Sequence, residues 1–243
     1  MDHARFIASN DTSIRNDKKN EYNLHFDQIA GSLSRLVAEV ATKKLNVGAT
    51  TSEITNYLGC MMRRDGADYD LREGLTEFTN APAVLIPQTA NPPQAIVATY
   101  PLVGYPRNEN WGAIAPSRPI VQCFAKKGSQ WSLVGELGGD YSKSTFSIYP
   151  LTSPVQGQAW SLLAGMRIGD TGARLLLEVV VCDGKSFTKK WSRGELEGGK
   201  VESVDGNAVL VTYSKLFVDG RRVFETDPIR YGEVLHVTPN GLE

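Results

Sequence analysis

Glycine-containing turn signals punctuate this chain after residue 93, each between two runs of β-type composition: Lys127-Gly128, Gly138-Gly139, Gly169-Asp170-Thr171-Gly172, Asp183-Gly184, Gly198-Gly199, Asp205-Gly206 and Asp219-Gly220. A tight hairpin turn needs positive φ at its central positions, so Asp-Gly between apolar runs is a strong hairpin cue. Parallel strands need crossovers of roughly a dozen residues or more, longer than these connections. The spacing therefore predicts an antiparallel meander, with strands over 95–102, 119–125, 130–137, 145–149, 159–168, 173–182, 187–192, 200–204, 208–214, 222–226 and 233–238. Counting about 10–11 strands leaves a curved sheet, a barrel or a sandwich open.

Upstream the periodicity changes. Residues 1–22 are polar and without a repeat, which predicts a disordered arm. Phe26, Ile29, Ala30, Leu33, Val37, Val40 and Ala41 then fall on one face of a helix that ends near Leu45, ahead of Gly48. Thr50-Thr51-Ser52-Glu53 reads as a capping box opening a second helix, through Ile54, Tyr57, Leu58 and Met61 to about Arg63. A weaker helical stretch covers 71–79 and stops before Ala81-Pro82. The stretch from Pro82 to Pro93 carries four prolines and reads as a linker or as the first edge of the sheet. The expected organisation is an arm (1–22), a helical segment (23–81), a proline-rich linker (82–93) and a β-domain (94–243). The fold class is α+β, mainly β, with the helical segment packed on an antiparallel β-meander.

A Trp-Ser pair recurs at Trp131-Ser132, Trp160-Ser161 and Trp191-Ser192, spaced by 29 and then 31 residues. Propeller blades need about 40 residues each, so the repetition reads as large aromatics anchoring one core from successive hairpins. If 169–172 is the loop of one hairpin, Ile168 faces Ala173. Trp160, Leu162, Ala164 and Met166 then share a face with Leu175, Leu177, Val179 and Val181, which marks that face as the core. The other face carries Ser161, Leu163, Gly165, Arg167, Arg174, Leu176, Glu178 and Val180, a mixed set expected to be half-covered or to line a concavity. That register sets Arg167 opposite Arg174, a like-charge pair that is unfavourable unless something negative lies between them. Two readings follow: solvated arginines with Glu178 as a same-face partner for Arg174, or an anion site over Gly165.

The composition narrows the function classes. The chain has 243 residues, 41% of them hydrophobic, and a formal net charge of −1. It is long enough to bury a core without disulfides or metals. Acidic residues slightly outnumber basic ones up to residue 80 and the two nearly balance after it, so phosphate-backbone binding is not expected. The helical pair could be read as a helix-turn-helix, but its second helix presents Ile54, Tyr57, Leu58, Met61 and Met62 rather than a polar base-reading surface. No run of apolar residues is long enough to span a bilayer. The N-terminus lacks an apolar signal core, which places the chain as written in the cytoplasm, or outside it if a signal has been removed.

Reactive centres are not legible. Cys60, Cys123 and Cys182 are too few for a disulfide framework, and a Cys123–Cys182 bridge is expected only if their strands are neighbours. His3, His25 and His236 are far apart, so no His-based metal site is expected, and no cofactor motif occurs. His236 alternates with Leu235 and Val237 and reads as a strand histidine. Glu136, Asp140, Glu178, Glu225 and Asp227 are the carboxylates from which a catalytic pair could be drawn, though Asp140 and Asp183 read as turn residues. The segment from Tyr100 through Tyr105 to Trp111 is a long connection with two tyrosines and a tryptophan. It reads as a plug on the sheet or as a binding rim. The leading expectation is a non-catalytic binding or interaction module for a small anion, a carbohydrate or a protein, using that aromatic rim or a sheet face. The alternatives are a hydrolase with an unrecognised carboxylate site and a structural subunit docking through its helices.

Overall fold

The structure is a computed structural model that describes residues 19–67, 82–87, 93–99, 120–137, 143–169, 172–214, 217–218, 221–222 and 230–243. Of the arm expected over 1–22, residues 19–22 instead open the first helix, and the remainder lies outside these residues, as do the weak helical stretch over 71–79 and the aromatic connection over 100–119. The chain divides into two compact units, one of Met1–Val84, Val97–Gln122 and Gly138–Ser142, the other of Leu85–Ile96, Cys123–Leu137 and Lys143–Glu243. Among the described residues no helix is long and apolar enough to cross a membrane.

The first unit contains α1 (Lys19–Asn46) and α2 (Thr51–Ala67). Val37, Ala41 and Leu45, four residues apart, form the buried stripe of α1, and Ile54 and Leu58 form that of α2. Gly48 at φ 75° ends α1 in a Schellman motif: its N–H donates to Leu45 O at 3.0 Å and the Ala49 N–H to Lys44 O at 3.0 Å. The capping box of α2 forms as its spacing predicts. The Thr50 N–H donates to Glu53 Oε2 at 2.7 Å and the Glu53 N–H to Thr50 Oγ1 at 3.3 Å. In the same unit the Gln122 amide donates to the carbonyl of Ser34, on α1, at 2.9 Å.

The strands are β1 (Ala83–Leu85), β2 (Gln94–Thr99), β3 (Ile120–Lys127), β4 (Gln130–Leu137), β5 (Lys143–Leu151), β6 (Ala159–Gly169), β7 (Gly172–Cys182), β8 (Phe187–Val204), β9 (Ala208–Ser214), β10 (Phe217–Val218), β11 (Arg221–Arg222), β12 (Arg230–Thr238) and β13 (Gly241–Leu242). They form an antiparallel sheet ordered β1-β2-β3-β4, a β10-β11 ribbon and an antiparallel sheet ordered β13-β12-β9-β8-β7-β6-β5. The start of the proline-rich stretch is thus the sheet's edge strand β1, and Pro82 stands just before it, where a proline is tolerated. The large sheet is open, since its edge strands β13 and β5 do not pair with each other.

Within the second unit the β6–β7 hairpin takes the register expected from its loop, with Ile168 opposite Ala173, Arg167 opposite Arg174 and Trp160 opposite Val181. Trp160, Leu162, Ala164, Leu175, Leu177, Val179 and Val181 enter one core with Leu196, Val209, Val211, Leu235 and Leu242. Trp191 packs against it, but Trp131 stands on β4 in the other sheet and is not part of it. Two of the three Trp-Ser pairs therefore serve one core. The opposite hairpin face is not half-covered near its Cys182 end: Ser161, Leu163, Glu178 and Val180 are buried too.

The largest departure from the sequence reading lies at Gly198-Gly199. These residues do not turn the chain back; they sit inside one strand of 18 residues, β8, where the register against β9 shifts between Glu197 and Lys200. Gly198 takes φ 53°, and a Cβ on Gly199 would stand 2.7 Å from Leu175 Cβ and 2.8 Å from the Leu196 carbonyl oxygen. The glycine pair is a bulge that bends a continuing strand. The first half of β8 pairs with β7 and the second with β9. The bend folds the sheet across its own inner face. Gly241 on β13 lies against the Trp191 indole, and the Thr152 N–H after β5 donates to Gly206 O at 2.7 Å. On a flat sheet each pair would be separated by roughly 40 Å or more of strand, at about 3.3 Å per residue.

Candidate binding site

On the inner face of the folded sheet, β8, β9 and β12 bring two charged and two tyrosine side chains together. Tyr213 continues the inward phase of Val209 and Val211 along β9, and Tyr231, directly opposite it on β12, continues the phase of Glu233 and Leu235. Arg193 follows Trp191 by two residues on β8 and faces Leu177. Strand alternation therefore turns an arginine and a glutamate toward the same side as the core.

Their geometry is specific. Arg193 Nη2 donates to Glu233 Oε2 at 2.9 Å, and Tyr213 OH donates to the same oxygen at 3.1 Å. The guanidinium carbon lies 5.6 Å from the centre of the Tyr213 ring, within reach of a cation–π attraction. Tyr213 also stacks on Tyr231, with centroids 6.0 Å apart and planes inclined by 25°. The Arg193 and Glu233 side chains are 31% and 37% exposed, so the pair meets solvent. The Glu233 carboxylate raises the Arg193 pKa above its already high ordinary value. The site is fixed as an ion pair, formally neutral, with both partners beside stacked aromatic rings.

The residues singled out by sequence are placed differently. Arg174 Nε bonds Glu197 Oε2 at 3.0 Å, from the residue directly opposite on β8. Glu178, four residues along β7, is about 13 Å from Arg174 at strand rise. It accepts instead from Lys189 Nζ at 3.3 Å and is 3% exposed. Arg167 faces Arg174 in the backbone ladder, and its side chain lies outside the described residues, as do Tyr100, Tyr105 and Trp111. The sequence reading passed over Arg193, Tyr213, Tyr231 and Glu233. Their signal was a charged residue in the inward phase of a strand, and it could be read only once the phases of β8 and β12 were known.

Four carboxylates elsewhere are held by nearby partners. Asp183 accepts from the Lys185 and Ser186 N–H groups at 2.8 and 2.7 Å, and Asp205 accepts from Asn207 and Ala208 at 2.9 and 2.7 Å. These turn bonds hold both carboxyls below the usual aspartate range. Glu53 and Glu202 are lowered as well, by Thr50 and by Lys200 respectively. Of the carboxylates from which a catalytic pair was drawn, Asp140, Glu225 and Asp227 lie outside the described residues, and Glu178 is held by Lys189. Among the described residues no group of three His, Cys, Asp or Glu side chains could hold a metal ion. His236 is exposed on β12. Comparison with known protein families, with curated proteins and with solved structures finds no match to this chain.

Proposed function

We propose that the protein is a non-catalytic binding module that takes a neutral polar ligand of the carbohydrate class at the Arg193–Glu233–Tyr213–Tyr231 cluster. The observation that carries this reading is the Arg193–Glu233 pair, partly exposed beside two stacked tyrosines. A guanidinium and a carboxylate side by side offer fixed donors and acceptors to neighbouring hydroxyls, and tyrosine rings supply rigid contact area at low entropy cost. The local charge balance disfavours a ligand of either sign. The anion reading of the Arg167–Arg174 pair and the rim reading of Tyr100, Tyr105 and Trp111 stand as separate proposals, to be read in the same assay through Arg167→Ala and Trp111→Ala.

The test is a thermal-shift and calorimetric screen of neutral and acidic saccharides, phosphate and carboxylate anions and nucleotides, because a ligand that binds only the native state raises Tm. A neutral saccharide should shift Tm, and the shift should vanish in Tyr231→Ala and fall about tenfold or more in affinity in Glu233→Gln. Binding confined to anions and lost in Arg167→Ala would overturn this assignment in favour of the arginine pair. Saccharide binding unchanged by Tyr231→Ala would remove the cluster from the site. Turnover of a bound saccharide would favour the hydrolase alternative.

A further inference from the structure

Two thiols that lie on different sheets meet inside the second unit. Cys123 on β3 and Cys182 on β7 are both fully buried and both reduced. The two thiols nonetheless lie close enough for each to act directly on the acidity of the other, although β3 and β7 are not neighbours in either sheet. The sequence reading allowed such a pair only between neighbouring strands; facing layers provide another route. The two layers approach closely here. β4, which pairs with β3, comes within 8 Å of β8, Cα to Cα, where stacked sheets ordinarily stand about 10 Å apart. Gly135 permits this, since a Cβ added to it would lie 3.2 Å from Cβ of Phe187, the residue paired with Cys182. A disulfide needs Cα atoms within about 7 Å, and at this corner the layers are drawn together.

We infer that Cys123 and Cys182 form an oxidation site, at which a two-electron oxidant of the hydroperoxide class converts two buried thiols into a disulfide joining β3 to β7. The Cys182 sulfur attacks one peroxide oxygen; the O–O bond breaks, leaving a sulfenic acid on Cys182 and releasing hydroxide. The Cys123 sulfur then attacks Cys182 Sγ and the S–O bond breaks. The departing hydroxide and the thiol proton of Cys123 leave as water, and the first hydroxide takes up the Cys182 proton. In sum two thiols and one hydrogen peroxide give one disulfide and two waters; the sulfurs lose two electrons and the peroxide oxygens gain them. Cys182 is the attacking sulfur because the Cys123 S–H and the Gly184 N–H both favour its thiolate, whereas its neighbour and burial push the Cys123 thiol up. Burial makes the reaction slower than at exposed Cys60, with access through local opening.

The experiment treats the full chain carrying Cys60→Ser with hydrogen peroxide, blocks remaining thiols under denaturing conditions and reads the mass. Both thiols should be lost together, a Cys123–Cys182 linked peptide should appear after digestion, and Tm should rise by roughly 5 °C or more, reversed by dithiothreitol. Two blockable thiols remaining at a dose that fully converts Cys60 in the parent chain would overturn the inference. So would separate sulfinic acids without a linked peptide, or a linked form with a lowered Tm, which would show that the bridge does not fit the native fold. In the same background Cys123→Ser should leave a dimedone-reactive Cys182, and Cys182→Ser an unlabelled Cys123; the reverse pattern would overturn the assigned attacker.

Discussion

Gly199 and Gly31 have opposite structural meanings. A Cβ at Gly199 meets Leu175 Cβ at 2.7 Å and backbone oxygen at 2.8 Å, neither of them the far end of a flexible side chain. A Cβ at Gly31, in the interior of α1, meets nothing within 4 Å. Gly199→Ala should therefore destabilise by about 1–3 kcal/mol through overpacking at the bend. Gly31→Ala should stabilise by roughly 0.5–1 kcal/mol by removing helix-interior freedom. Urea denaturation of the two variants checks both signs, and equal effects would remove the close approach as the reason for glycine at 199. Residue type marked both positions as glycine and nothing more. Only the packing around each decides what a methyl group does there.

At the scale of elements, local chemistry carried most of the information. The Thr50–Glu53 box and the Asp-Gly turns at 183 and 205 form from groups within a few residues of one another, so they are legible before any tertiary contact is known. Thr50→Ala should cost about 1 kcal/mol, the usual penalty for losing an N-cap. The Thr50 bonds hold the Glu53 carboxyl below its ordinary 4.5, so that part of the stability is present above 4.5 and is lost as pH falls through the lower folded value. The difference between parent and variant should shrink on acidification through that range, as denaturation midpoints at several pH values would show. Gly198-Gly199 resembles the other turn signals in composition, yet β8 continues through it. A glycine pair permits a reversal or a bulge equally well, and the choice falls to the strands on either side: β7 pairs with the first half of β8 and β9 with the second.

For the molecule as a whole, the folded sheet explains why a charged cluster lies on a core face. Arg193 and Glu233 sit on strands separated by β9 and meet at 2.9 Å in partly exposed surroundings. A double-mutant cycle on Arg193→Ala and Glu233→Ala should return a coupling of about 0.5–1 kcal/mol, reduced at high salt, because an exposed ion pair is screened. A coupling near zero would show that the pair does not help to hold the fold and would leave ligand contact as its role. The sequence by itself determined the antiparallel class, the two capped helices, the register of the β6–β7 hairpin and its apolar face, since each follows from turn chemistry and residue period over short distances. Tertiary structure alone decided that β8 runs unbroken through its glycines, that Arg174 bonds Glu197, that Glu178 is buried with Lys189, and that Arg193 meets Tyr213 and Glu233. Those partnerships join residues far apart in the chain. Alternation says which side of a strand a residue faces, but only the bending and pairing of whole strands say what stands opposite it.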